Sequence, residues 1–335
     1  MSEPIGDWSW SAADDRLTLD VASGPLSSAL TGRWNRNDFN HLLDGLSRRR
    51  LHDGLNAGTP SVTCPLQLAD GKLILLAGAF VEDDVARGLI LALEPGEAAT
   101  LDPGPDLVPA FQPIVSLQTQ QIVGFEALAR WQQDDGMDVI PSNLDDKALT
   151  PNMLIRSCEA LMAWGSRCDR DDLFIQVNLT SQDLADTTLP GLINTLITGF
   201  GLAPGRLRLE LTEQAALRDL DLAVAAATAL REAGAWLVLD DFGSGHSSFM
   251  WLAQLPAQSV KIDSTLIAAL PSKRMETILE AVTLLARRLD MSTTAEGVED
   301  RNQISALQRA GFDYAQGFAL GRPMPLKASI ELLKA

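Results

Sequence analysis

From residue 107 onward, apolar strand-like runs alternate with helical stretches, and nearly every run ends in a polar side chain that a packed interior would reject. The runs are Phe174–Leu179, Leu207–Leu211, Trp236–Leu239, Ser259–Ile262, Thr293–Ala295 and Tyr314–Leu320. Helical periodicity fills most of the gaps, over 153–164, 217–233 with Gly234 as a C-cap, 275–289, and 303–310 with Gly311 as a C-cap. Strand–helix alternation predicts a parallel sheet, and about 230 residues suit one (β/α)8 barrel. The strand-end residues are Asn178, Glu210, Asp240 with Asp241, Lys261, Glu296 and Gln316, each about one βα unit from the next. In a parallel barrel all strand C-termini meet at one mouth, so these side chains should converge although they are far apart in sequence.

Several carboxylates at one mouth repel one another unless they share protons or hold cations. An Asn with several carboxylates is an all-oxygen set, which suits Mg²⁺ or Mn²⁺ rather than zinc. Only three His occur in the chain, and no second His is nearby to suggest a softer metal site. Asp240-Asp241 at one strand end can place a carboxylate between two metals, the arrangement that activates water and stabilises a phosphoryl transition state. Lys261 could then orient or polarise the attacking water.

The first third has a different character. Trp8 to Leu19 predicts two strands joined at Asp14-Asp15. Asp38 to Leu51 predicts a helix capped by Asn37 or Asp38, with Phe39, Leu42, Leu43 and Leu46 on its apolar face. Three strands follow over 61–68, 72–81 and 88–93, with Asp70-Gly71 as a hairpin turn. Two strands, a helix and a three-strand meander resemble a PAS domain, which implies a small α+β regulatory unit over residues 1–100. A boundary is predicted near 94–106, where Glu94-Pro95-Gly96-Glu97 and Asp102-Pro103-Gly104-Pro105-Asp106 break regular structure.

Composition narrows the partners. With 44 acids against 27 bases the formal charge is −17, which excludes gripping long nucleic acid through a basic surface. No apolar run is long enough to span a bilayer and no signal peptide is visible at Met1 to Trp10, so a cytoplasmic protein is predicted. Cys64, Cys158 and Cys168 lie far apart without C-x-x-C spacing and are predicted to be reduced thiols.

The ordered motifs complete the reading. Phe111-Gln112-Pro113-Ile114-Val115 and Gly124-Phe125-Glu126-Ala127-Leu128-Ala129-Arg130-Trp131 open the series. Val177-Asn178-Leu179, Glu210-Leu211-Thr212-Glu213, Asp240-Asp241-Phe242-Gly243-Ser244-Gly245, Lys261-Ile262-Asp263, Ala295-Glu296-Gly297-Val298-Glu299 and Gln316-Gly317-Phe318 continue it in order. The series, over residues 101–335, resembles the EAL-domain cyclic di-GMP phosphodiesterases. The resemblance implies a (β/α)8 TIM-like barrel with an antiparallel first strand, preceded by the PAS-like unit. It implies hydrolysis of cyclic di-GMP to linear pGpG with two Mg²⁺ or Mn²⁺. Glu126, Asn178, Glu210 and Asp240 would hold one ion, and Asp240, Asp241 and Glu296 the other. Lys261 would act on the nucleophilic water, with Glu126, Glu299 and Gln316 completing the catalytic surroundings. Gln112, Leu128 and Arg130 would meet the substrate, Arg130 through a phosphate. Glu213 would anchor the loop after Asp241. A homodimer and a signalling partner acting through the N-terminal unit are also implied.

Three departures from the family pattern stand out: the segment 139–147 in place of the usual stretch after Trp131, His246 where Tyr is common, and Gln258 where Asp is common. No G-G-D-E-F segment is present, so synthesis of the dinucleotide is not expected. Two other readings compete: an EAL-fold receptor or interaction scaffold with little turnover, and a different metal-dependent barrel enzyme of the enolase kind. Receptor-type members lack metal ligands that are all present here. An enolase-like chemistry would leave the E-A-L-x-R and D-D-F-G matches unexplained.

Overall fold

In the computed structural model of the chain, which describes residues 4–22, 26–56, 60–93, 107–132, 138–139, 149–212, 219–244 and 249–335, the strands collect into two sheets. The first is antiparallel, with β1 (Pro4–Ser11), β2 (Arg16–Val21), β3 (Gly32–Asn35), β4 (Ser61–Gln67), β5 (Leu73–Phe80) and β6 (Val85–Leu93) in the order β3-β2-β1-β6-β5-β4. Helices α1 (Ser27–Leu30), α2 (Arg36–Asn40) and α3 (Gly45–Asn56) lie between β2 and β4. The single helix predicted from Asp38 to Leu51 is therefore two. Asn35, not Asn37 or Asp38, caps the first through a 2.8 Å bond from the Asp38 N–H. The chain then breaks at Leu43, which bridges to Leu68, and Asp44 restarts the helix by accepting from the Ser47 N–H at 2.7 Å. Asx-type bonding to the backbone competes with helix continuation, which is the reason for the split.

The second sheet closes on itself. Strands β7 (Leu107–Ser116), β8 (Ile122–Gln132), β10 (Phe174–Leu179), β11 (Leu207–Thr212), β12 (Trp236–Phe242), β13 (Ser259–Ile262), β14 (Ser292–Ala295) and β15 (Tyr314–Ala315) form an eight-stranded barrel, with short β9 (Asp138–Val139) paired outside on β8. The first barrel strand, β7, is antiparallel to both its neighbours, and the other contacts are parallel. Helices α4 (Leu149–Cys168), α5 (Leu189–Gly199), α6 (Leu220–Glu232), α7 (Phe249–Gln254), α8 (Ser264–Ala268), α9 (Lys273–Arg288), α10 (Asn302–Ala310) and α11 (Leu326–Lys334) accompany the barrel. Gly311 ends α10 in the left-handed conformation, at φ 86°, as predicted.

The strand predicted over 314–320 stops at Ala315. At Gln316 the chain bends, its N–H still donating to Ala295 O at 2.8 Å while its carbonyl accepts from Val298 N–H. Gly317 allows the bend, since a Cβ there would lie 2.2 Å from the Val298 backbone nitrogen.

The two sheets share a core. One face of the β5–β6 region, with Ile74, Leu76 and Ile90, packs with Phe39, Leu51 and Leu55 of the N-terminal helices. The other face, with Leu75, Ala77, Leu89 and Leu91, joins the apolar cluster that includes Ile155, Leu161 and Trp164 of α4. Burial on both faces explains why Leu73 to Phe80 is apolar without alternation. Within this contact Glu159 of α4 is fully buried and accepts from Thr63 Oγ1 at 2.7 Å and Gly78 N–H at 3.3 Å. Cys64, Cys158 and Cys168 are free thiols, the first two buried. Among the described residues no helix is long and apolar enough to cross a membrane.

Candidate active site

Lys261 decides the geometry of the barrel mouth. It lies inside the barrel on β13, 1% exposed, and its Nζ is 2.7 Å from Glu296 Oε1, 3.0 Å from Glu210, 3.3 Å from Glu126 Oε2 and 3.4 Å from Asp240 Oδ1. One ammonium thus neutralises part of a ring of four carboxylates drawn from strands β8, β11 and β12 and from the turn after β14. Two neutral amides complete the ring. Asn178 Nδ2 donates to Glu126 Oε1 at 2.8 Å, and Gln316 Nε2 donates to Glu126 Oε2 at 2.7 Å and to Gln112 Oε1 at 3.1 Å. Register brings them together, because Asn178 faces Glu210 across β10–β11 and Gln112 faces Glu126 across β7–β8. The sequence-predicted residues Gln112, Glu126, Asn178, Glu210, Asp240, Lys261, Glu296 and Gln316 therefore form one contiguous set.

Asp241 joins by a different device. Side chains alternate along a strand, so adjacent Asp240 and Asp241 should point to opposite faces. The β12–β13 register shifts between Leu239 and Phe242, and Asp241 sits in the left-handed region at φ 59°. A bulge with a left-handed residue breaks the alternation, and Asp tolerates that conformation better than most side chains. Carboxylate oxygens of Asp240, Asp241 and Glu296 then lie within 4.8 Å of one another. An all-oxygen group with this spacing fits a hard divalent cation.

The electrostatics follow from burial and crowding. Burial works against ionised Glu126, but the nearby Lys261 charge and the bonds from Asn178 and Gln316 outweigh it and hold its pKa below the ordinary value. Glu210 is pushed well above the ordinary value by burial and then by Glu126. Glu296 is raised to about 7 by burial, against the pull of Lys261. Asp241 is raised by burial and then by Asp240 and Asp263. Burial also disfavours charged Lys261, yet Asp240, Glu126, Glu210 and Glu296 raise it well above its ordinary value. The mouth holds more negative charge than one lysine offsets, the electrostatic condition under which added cations are attracted.

Beside the cup lies a cavity of about 670 Å³, lined by Gln112, Glu126, Asp241, Glu296, Glu299 and Gln316 among others. Such a volume is within the usual range for small-molecule sites. Glu299 is exposed on this wall, and among the described residues no hydrogen bond joins its side chain to the cup. Leu128 and Arg130 share the face of β8 that carries Glu126, two and four residues further along, and neither lines the cavity. Arg130 Nη1 instead donates to Ala129 O at 2.8 Å. Glu213, His246 and most of segment 139–147 lie outside the described residues.

The sequence profile of the EAL domain matches residues 102–323. The chain belongs to the EAL-domain family. Over 230 residues, 65% of this chain and 33% of the relative, it is 33% identical to the bifunctional diguanylate cyclase/cyclic di-GMP phosphodiesterase MucR of Pseudomonas aeruginosa. It is 32% identical over 228 residues, 66% of this chain and 43% of the relative, to the probable cyclic di-GMP phosphodiesterase PdeB of Escherichia coli. The chain thus spans less than half the length of these relatives. The solved PaMucR phosphodiesterase in complex with c-di-GMP shares the fold at a TM-score of 0.60 and 32% identity, covering 67% of this chain and 94% of that one.

Other residues also form the wall of the EAL cavity. Asp263, Ser264 and Thr265 line it from the start of α8, and Phe318 from the bend after β15. Phe318 is 52% exposed with Arg322 stacked 4.3 Å from its ring, a flat apolar surface beside the acidic cup. Asp263 and Phe318 belong to the K-I-D and Q-G-F motifs, so the signal was present; only the cavity identifies them as its wall. Gln258 has a structural part: its Oε1 accepts from Leu237 N–H at 2.8 Å and its Nε2 donates to Pro256 O at 2.8 Å, tying the approach to β13 onto β12.

Proposed function

We propose that this EAL domain hydrolyses one phosphodiester bond of cyclic di-GMP and releases linear pGpG. The observation that carries the reading is the ring of Glu126, Glu210, Asp240 and Glu296 around buried Lys261, with Asn178 and Gln316 bonded to it. Glu126, Asn178, Glu210 and Asp240 would hold one Mg²⁺ or Mn²⁺, and Asp240, Asp241 and Glu296 a second. When bound, the two ions supply water activation and charge neutralisation at the phosphoryl group.

The remaining functions fall to the chain itself. Lys261 keeps its charge in the midst of four acids and offers N–H donors, so it can orient the attacking water and counter charge that develops on the phosphate. Gln316 and Asn178 fix the orientation of Glu126 from both sides. Gln112, clamped between Gln316 and the Gly321 carbonyl, presents a polar edge to the substrate. Arg130 has a donor fork suited to a phosphate, and Leu128 an apolar contact for the nucleotide. Glu299 would act from the cavity wall on the metal and water surroundings, and Glu213 would anchor the loop after Asp241. Because the acid set is complete, the enzyme reading is favoured over a receptor or scaffold.

The N-terminal antiparallel unit, with helices inserted between β2 and β4, supports a PAS-like regulatory part over residues 1–100. Its direct packing on α4 supports modulation of the barrel. A cytoplasmic homodimer with a signalling partner on the N-terminal unit completes the proposal. The decisive test is chromatography of purified protein incubated with cyclic di-GMP and Mg²⁺ or Mn²⁺, with and without chelator. Formation of pGpG by the wild type, lost with chelator and in folded Glu126→Ala, is expected; metal-independent or Glu126-independent turnover would overturn the assignment.

A further inference from the structure

A second cavity, of about 560 Å³, lies where the N-terminal sheet meets helices α4 and α11, away from the acidic cup. Its floor is apolar. Trp10 and Phe80 meet edge to face with ring centroids 5.9 Å apart, and Leu55 and Ile330 flank them, all four largely buried. Its rim is cationic. Lys327 and Lys334 stand seven residues apart on α11, two turns along one helix face, with Ile330 between them. Both lysines are exposed and make no ion pair among the described residues. Arg167, at the end of α4, is paired with Asp83 at 2.6 Å, and Glu331 is the other acid on the wall. Asp83 is 92% exposed while Arg167 is 22% exposed, so the acid is the solvated member of that pair. Glu331 lies between Lys327 and Lys334 on α11, so the cleft carries three cations against two acids in a chain whose net charge is −17.

We propose that this cleft is a binding site for a small aromatic acid. The ring lies against Trp10 and Phe80, where edge and face contacts with π-systems are favourable. The acidic group lies between Lys327 and Lys334. The volume is that of small-ligand sites, which occur preferentially where two structural units meet. An occupant would touch both units at once. Ile330 on its wall is next in the chain to Ser329, which accepts from Trp164 Nε1 at 2.8 Å, and the Trp164 ring stacks on Phe125 at 4.4 Å, next in the chain to Glu126.

The test uses the full chain and two fluorescent probes: 1-anilinonaphthalene-8-sulfonate, an aromatic acid, and 1-anilinonaphthalene, the same ring system without the acid. The wild type should bind one equivalent of the sulfonate saturably. Lys327→Glu with Lys334→Glu should weaken it by about tenfold or more, with binding of the neutral probe unchanged, and Lys327→Arg with Lys334→Arg should retain sulfonate binding. Both lysines are exposed, so unfolding midpoints should match the wild type. Absence of saturable sulfonate binding, or equal affinity in the charge-reversed variant, would overturn the proposal. The outcome is independent of whether cyclic di-GMP is hydrolysed.

Discussion

Replacing Glu159 by Gln should stabilise the protein at pH 7 and leave its stability unchanged near pH 4.5. Glu159 is fully buried where α4 meets the N-terminal sheet, and burial pushes its carboxyl from 4.5 up to about 8. Arg156, one turn earlier on α4, and the bonds from Thr63 and Gly78 pull it down without offsetting burial. The folded carboxyl therefore keeps its proton at pH 7, whereas the unfolded one has lost it. The folded value is the higher one, so the group's contribution is most favourable below pH 4.5 and declines as pH rises to about 8. The decline is at most about 1.4 kcal/mol per pH unit, which makes about 3.5 kcal/mol the ceiling of the penalty at pH 7. Gln keeps an acceptor for the Thr63 hydroxyl and the Gly78 N–H and has no proton to lose. Urea unfolding of both proteins between pH 4.5 and 8 measures the difference. The variant's advantage should grow from near zero to roughly 1–3 kcal/mol. A difference that stays flat with pH would refute the claim that Glu159 is held neutral at this contact.

Two further perturbations probe the same region. Trp164→Ala removes a fully buried indole packed on Phe111 and Phe125 and bonded to Ser329, and should cost about 3–5 kcal/mol in chemical denaturation; a loss below about 1 kcal/mol would mean that the contact contributes little. Removing residues 1–100 uncovers the α4 face that carries Glu159 and should change turnover or oligomeric state. Unchanged kinetics and an unchanged sedimentation profile would assign that third to targeting or partner binding instead of modulation.

Much of the fold was legible because strand and helix periodicities repeat in the barrel. A polar residue at a strand end is legible for the same reason: barrel topology sends every parallel strand's C-terminus to one mouth. Asn178, Glu210, Asp240, Lys261, Glu296 and Gln316 are therefore expected together from sequence, and the structure joins them within hydrogen-bond and ion-pair distances. How Asp241 enters the cup is not legible in sequence, because a period-two pattern forbids two adjacent inward side chains. Only the bulge and left-handed φ decide it. Nor is it legible that one lysine touches four acids, since the distances depend on strand register. Local patterns also misplaced the N-terminal helix, where Asn35 and Asp44 bond to backbone groups, and extended β15 past the bend at Gly317.

The amino-acid sequence by itself determined the barrel, the chemistry of its mouth and the family, because each depends on residue type at a repeated position. What only the tertiary structure decided is how the two parts meet. An unbroken apolar run such as Leu73–Phe80 says that both faces are covered but not by what. The answer, α3 on one side and α4 on the other, is set by three-dimensional packing. Buried Glu159 and the cationic cleft beneath α11 exist only because that packing brings residues from both thirds into contact.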